Sequence, residues 1–403
     1  MALGYWRPLL PLLCLSCLLL YEEWASISSC KIVPGKDPDD YSRGKVEASS
    51  DDLKVMIVAN LHLQGSEAGL FDLYFRDYYL SKFFRKSFQS LNPDMLIVLG
   101  DVSARGSELT KSKWVSVLNQ FHKMLGPFLG LPFHVVLGDR DIGECGELDA
   151  NFVQLLAASF PGLDSAGCGA FEISNTTFVS VNAVALLCDN NEFRFSVEKV
   201  IERESIDLQM ENEGAAGIIN EFHNFRETSH HFELRENDVL PGSGPVLLLH
   251  FPLNRRADYH CNGGRNAWSV SRHSQQNFKK CDSRQFIGAG PYDLLQTVPA
   301  NATEYIFQAL RPRFIFSAHS HEFCDITHSD GTREITVPAM TWKAKDDPGF
   351  VVATFGKDRK GVSVSYCALA RESHVLATYT TLLVSFVVLW FISKAPHSGC
   401  LRR

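Results

Sequence analysis

The chain has 403 residues, 45% hydrophobic and 21% charged, enough for one large core or at most two or three domains. Its formal net charge is −7 and its basic residues are scattered, which argues against a nucleic-acid partner. Eleven cysteines without paired CxxC spacing are too sparse for a small disulfide scaffold and do not fit a structural zinc site.

From the N-terminus, Arg7 precedes a leucine-rich run over 8–21, and residues 1–28 read as a signal peptide or an N-terminal membrane anchor. Glu22 and Glu23 begin the translocated part. A polar stretch over 36–52 leads into a domain expected to span 50–370. Residues 53–59 read as a buried strand and 71–91 as a helix. The aromatic stripe of that helix reads as core packing, and Lys82, Arg85 and Lys86 as a solvated face. Strands follow over 95–99 and 133–137, with a helix over 107–125 between them. This β-α-β-α-β rhythm predicts an α/β fold. Further strands are expected over 179–185, 246–249, 314–316, 335–337 and 350–355. Residues 198–237, charged and helical in character, read as an insertion.

Residues 375–393 carry no charge, and as a helix they are long enough to cross about 30 Å of hydrocarbon. Lys394, Arg402 and Arg403 follow, which predicts a cytosolic tail over 394–403 and a lumenal domain before the span. The sequons at Asn175 and Asn301 agree with that placement, and an oxidising lumen favours disulfides for Cys261, Cys281 and Cys324.

In an α/β sheet, polar side chains just past strand ends converge on one crevice. His62, Asp101, Asp139, His250, His319 and His321 all stand at such places. Each histidine alone reads as an ordinary structural residue. Together they form a set of imidazoles and carboxylates suited to divalent metals such as Mn, Fe or Zn. His319 and His321 share a face only if residues 317–321 are extended. Arg140 reads either as a phosphate-binding fork or as an ion-pair partner of Asp139 or Asp141.

The order of these blocks resembles the calcineurin-like metallophosphoesterases, whose pattern is DxH, GD, GNH, a lone His and GHxH. The corresponding residues are Asn60-Leu61-His62, Gly100-Asp101, Gly138-Asp139-Arg140, His250 and Ala318-His319-Ser320-His321. Flanking residues, including Asp141-Ile142-Gly143, His250-Phe251-Pro252 and Trp342, are similar to the branch called metallophosphoesterase 1, or post-GPI-attachment factor. The resemblance runs from about residue 53 to 366. It implies a sandwich of two β-sheets flanked by helices, with a membrane anchor in the endoplasmic reticulum or Golgi. It implies two metal ions, Mn above all. One would be held by position 60, His62, Asp101 and His321, the other by Asp101, position 139, His250 and His319. It also implies removal of ethanolamine phosphate from the glycan of glycosylphosphatidylinositol (GPI) anchors, which assists export of anchored proteins. GPI-anchored proteins, or their glycan, and the membrane would be the partners.

Three residues depart from the family pattern. Asn60 stands where the family has aspartate, Asp139 where it has asparagine, and Arg140 where it has histidine. The formal charge of the ligand set is unchanged, but Asn60 is a poor neutral ligand and its metal is expected to bind more weakly. Arginine cannot act as a general acid, although it can hold phosphate. These changes keep open a weak or inactive relative that binds GPI glycans or cargo for sorting. A phosphatase for other lumenal phosphoesters is a further alternative. In the enzymatic reading Asp101 and Arg140 take the catalytic roles.

Overall fold

The computed structural model describes residues 9–34, 52–146, 148–188, 192–223, 244–255, 291–356 and 361–394. Its frame is two six-stranded sheets. The first contains β1 (Ser29–Val33), β2 (Leu53–Val58), β3 (Met95–Leu99), β4 (Phe133–Val136), β11 (Gly349–Phe355) and β12 (Val362–Ala368). Its order is β1-β12-β11-β2-β3-β4. β2, β3 and β4 run parallel, and the other neighbours pair antiparallel. The second sheet contains β5 (Gly169–Ile173), β6 (Thr176–Ser180), β7 (Val246–Leu248), β8 (Phe314–Ser317), β9 (Cys324–Thr327) and β10 (Arg333–Thr336). Its order is β5-β6-β7-β8-β10-β9, with β6, β7, β8 and β10 parallel.

The uninterrupted apolar runs of the central strands follow from burial on both faces. Side chains alternate along a strand. Val55, Ile57, Ile97 and Leu99 therefore share one cluster with Val246, Leu248 and Phe316 of the opposite sheet. Met56, Val58, Leu96 and Val98 point the other way and pack with Tyr79, Phe83, Phe84 and Phe121 of the outer helices. The expected α/β sandwich is the observed one. Each parallel strand thus ends along one rim, with a rigid layer on either side.

Four details differ from the expectations. The run over 179–185 splits: β6 ends at Ser180 and a short helix, Ala183–Leu186, follows, all of it buried. The helix expected over 71–91 opens with a π turn, Asp72–Arg76, before the α-helix Asp77–Leu91. Lys82 and Lys86 are not a solvated face. Lys82 is buried and pairs with Glu22 at 2.9 Å and Glu23 at 3.0 Å, and Lys86 pairs with Glu23. These pairs fix the helix Leu9–Ala25 against Asp77–Leu91. Finally, β1 lies ahead of the boundary expected at residue 50 and is tied to β12 by the Cys30–Cys367 disulfide.

Cys145 and Cys188 form a second disulfide, Cys324 is disulfide-bonded as expected, and Cys261 and Cys281 lie outside the described residues. The insertion expected over 198–237 begins as the helix Glu192–His223, and its remainder lies outside the described residues. The helix Glu372–Lys394 covers the expected span. Its window Glu372–Phe391 is long and apolar enough to cross a membrane and is almost wholly unburied. Arg76 pairs with Glu372 at 2.6 Å, and the Tyr79 and Tyr379 hydroxyls meet at 2.8 Å, so this helix too leaves the domain beside Asp77–Leu91.

Candidate metal centre

The sequence-predicted residues meet at the rim where β2, β3, β4, β7 and β8 end. The loops after β2 and β3 continue their ladder. The N–H groups of Asn60, Leu61 and His62 donate to the carbonyls of Gly100 and Asp101 at 2.9–3.1 Å. Across the second sheet the Ala318 N–H donates to the His250 carbonyl at 2.9 Å. To turn their side chains inward at these ends, Asn60, His62, Asp101, His319 and His321 adopt positive φ, between 49° and 60°. They are five of the nine non-glycine residues with positive φ among the described residues. That conformation costs an L-residue about 1–2 kcal/mol, and such strain collects at functional sites. The condition placed on 317–321 is therefore corrected: the segment is kinked rather than extended, and His319 and His321 serve different places.

Two buried groups result. His62, Asp101 and His321 can bring ligand atoms within 4.8 Å of one another, and so can Asp139, His250 and His319. Asp101 joins them: one carboxylate oxygen lies 3.5 Å from His62 Nε2, the other 3.5 Å from His250 Nε2. In the second group His250 Nε2 is 2.9 Å from Asp139 Oδ1, and His319 Nδ1 is 3.2 Å from the same oxygen. The rings are aimed from behind. His250 Nδ1–H donates to the Leu99 carbonyl at 2.8 Å, and His319 Nε2–H donates to the Asp293 carbonyl at 2.7 Å. Each bond fixes the ring's orientation and turns the opposite nitrogen toward Asp139, where it carries a proton or, once deprotonated, can ligate a cation. Gly100 and Gly138 are required by close approach. A Cβ at Gly100 would strike the His250 ring, and one at Gly138 would strike the Asp101 carboxylate.

Buried polar atoms ordinarily have hydrogen-bond partners, so those without one mark a place for something else. Asp139 Oδ2, His62 Nε2 and both side-chain polar atoms of Asn60 are buried without a hydrogen-bond partner among the described residues. Imidazole and carboxylate donors left bare in this way fit a divalent cation. Asn60 adds only a neutral amide to the His62 group.

Arg140 departs from the ion pair expected with Asp139 or Asp141. Its Nε lies 3.4 Å from Asp101 Oδ2, and its backbone N–H donates to Asp101 Oδ1 at 3.0 Å. Sequence reasoning gave Asp141 only a flanking part. It is fully buried, its carboxylate accepts from the N–H groups of Ser103 at 2.8 Å and Gly138 at 3.0 Å, and it thereby binds the loop after β3 to the loop after β4. Lys343 was missed as well. Its ammonium, paired with Asp77 at 2.6 Å, donates to the His62 carbonyl at 3.3 Å and steadies the strained turn. A lysine directly after the buried Trp342 was the only signal.

The two groups differ electrostatically. Burial opposes a charge on His250, but the Asp101 charge and the Asp139 hydrogen bond outweigh it and push its pKa up to about 9. Asp139 is held below the usual carboxylate range: burial works against its charge, and the bonds from His250 and His319 overcome that. On the other side burial, with His62 beside it, pushes His321 down to about 3. Burial lowers His62 too, and the Arg140 charge adds to it. Asp141 is pushed up to about 7 by burial and by the Asp101 charge.

Residues 53–323 match the family model described as calcineurin-like phosphoesterase. This chain belongs to the calcineurin-like phosphoesterase family. It is thus a metallophosphoesterase by class, a hydrolase of phosphoester bonds. It is 27% identical over 363 residues to Metallophosphoesterase 1 of Xenopus laevis, covering 88% of this chain and 83% of that protein. It is 28% identical over 369 residues to Metallophosphoesterase 1 of Gallus gallus, covering 89% and 83%. A solved dimetal phosphatase from Danio rerio aligns at 13% identity over 75% of this chain and 92% of its own, with a TM-score of 0.41, a likeness that supports no conclusion.

Proposed function

We propose that this metallophosphoesterase works in a membrane of the secretory pathway, the endoplasmic reticulum or Golgi, with its domain in the lumen. It removes ethanolamine phosphate from the glycan of GPI anchors and so supports export of anchored proteins. The observation that carries the hydrolytic reading is a pair of buried three-residue groups joined by Asp101, in which Asp139 Oδ2 and His62 Nε2 have no hydrogen-bond partner among the described residues. Asp139, His250 and His319 would hold one divalent metal, with His62 and His321 facing a second place across Asp101. A metal so held supplies Lewis acidity toward phosphoryl oxygens and a nucleophilic water at neutral pH. Mn is the preferred ion.

The chain's own side chains do the rest. Arg140 presents its fork to phosphate oxygens beside Asp101. Because guanidinium stays charged, it stabilises developing negative charge without giving up a proton, and water protonates the leaving oxygen. Leu99 and Asp293 keep the two rings in register through their carbonyls.

The placement in the lumen draws on different observations. The helix Glu372–Lys394 suits a membrane span, and the disulfides Cys30–Cys367 and Cys145–Cys188 suit an oxidising compartment. The sequon residues Asn175 and Asn301 are exposed. The choice of a GPI glycan draws on the resemblance to the metallophosphoesterase 1 branch and on the similarity to proteins of that name.

A second reading is favoured by Asn60 and Arg140: a catalytically weak relative that binds GPI glycans or cargo as a sorting factor. Two measurements separate these. Purified protein should hydrolyse a generic phosphodiester with bound metal and lose turnover in His250→Ala. Absence of turnover with metal bound would leave the binder. Mass spectrometry of GPI glycans from cells carrying the wild type or His250→Ala should show extra ethanolamine phosphate in the variant. Unchanged glycans would remove the proposed substrate.

A further inference from the structure

The two groups do not offer a cation the same reception. Asp139 brings a full carboxylate with one bare, buried oxygen to the His250 and His319 side. Among the described residues the His62 and His321 side has no carboxylate of its own, because Asn60 is neutral. It depends on Asp101 Oδ2, and that oxygen already faces the Arg140 guanidinium at 3.4 Å. Asp101 Oδ1 accepts the Arg140 N–H, so one residue engages both oxygens. Arg140 is 8% exposed and Asp101 1%, so water screens this contact poorly.

We propose that the Arg140 guanidinium stands in the cationic place beside Asp101, so that the centre binds one divalent metal tightly, at Asp139, His250 and His319. The His62 side takes a second metal only at concentrations about 10–100-fold higher, the scale on which groups around a ligand change metal affinity. The proposal rests on the metal-centre reading above. It deepens that reading by making the phosphate site a metal on one side and an arginine on the other. A phosphate seated between them would meet one movable cation and one fixed one. The fixed one needs no metal supply, cannot be chelated away and keeps its charge at any physiological pH. Asn60 and Arg140 then belong together: with the carboxylate at position 60 gone, a metal on this side would have to share Asp101 with the guanidinium.

The test counts metal in the whole purified protein. After saturation with Mn and desalting, the wild type should retain one Mn per chain, His62→Ala should also retain one, and His250→Ala none. The double variant Asn60→Asp with Arg140→His should retain two. Electron paramagnetic resonance of the wild type, titrated with Mn, provides a readout that does not depend on the variants folding. It should show an isolated-ion spectrum through the first equivalent and a coupled-pair spectrum only with excess metal. Two tightly held Mn in the wild type, or a coupled pair from the first equivalent, would overturn the proposal and leave the metal centre intact. A wild type with no Mn, unchanged by His250→Ala, would overturn both.

Discussion

The His250 side and the His62 side of the centre use the same ring chemistry in opposite electrostatic settings. His250 lies between two carboxylates and keeps a proton readily, whereas His62 and His321 face one carboxylate, Asp101, whose charge the Arg140 guanidinium offsets, and shed theirs. Burial is nearly equal on the two sides, so burial does not make the difference. The placement of one carboxylate and one guanidinium does. Imidazoles brought to strand ends therefore do not make a metal site until the fixed charge around them is counted.

Substitution should separate the two sides. The largest effect is expected from His250→Ala, which should lower phosphodiester turnover at least about 100-fold, since even partners of a ligand cost about 10–100-fold. Gly138→Ala should come next. Its methyl group would press on Asp101, which both sides share, and destabilise the protein by about 1–3 kcal/mol in denaturant unfolding. A loss confined to one side would show that Asp101 is not the joint. His62→Ala should lower turnover about 10-fold. An effect equal to that of His250→Ala would erase the distinction.

The smallest and most telling effect should be on stability against pH in chelator-treated protein. His250 has a folded pKa of about 9, above the ordinary 6.5, so its contribution is full below pH 6.5 and lost as pH rises through 9. His321 has a folded pKa of about 3. The unfolded chain takes the proton more readily, so stability is lost as pH falls from 6.5 toward 3. Scanning fluorimetry should show His250→Asn flattening the alkaline limb of the melting-temperature profile and His321→Gln the acid limb, each by roughly 2–4 °C per kcal/mol. Both variants acting on one limb would contradict the opposite settings.

Much of this was legible because the strands advertise themselves. The runs at β3, β7 and β8 are apolar on both faces, those at β2 and β4 are broken only by Lys54 and His134, and each stops just before a polar residue, so the convergence of His62, Asp101, Asp139, His250 and His319 follows from the stops. Three things were not legible. The apolar run over 179–185 suits a buried strand and a buried helix equally, and periodicity cannot tell them apart. Positive φ at His319 and His321 leaves no trace in residue type, so an extended segment was the natural expectation. The contact of Arg140 with Asp101 depends on a loop approach made possible by Gly138, and nearness in sequence pointed instead to Asp139 and Asp141.

The Cys30–Cys367 bond has a topological consequence. It joins residues 337 positions apart, close to both terminal helices, and converts nearly the whole chain between those helices into a covalent ring. A single proteolytic nick anywhere between those cysteines opens the ring without parting the pieces. Both pieces would stay attached to each other and to both helices until the bond is reduced.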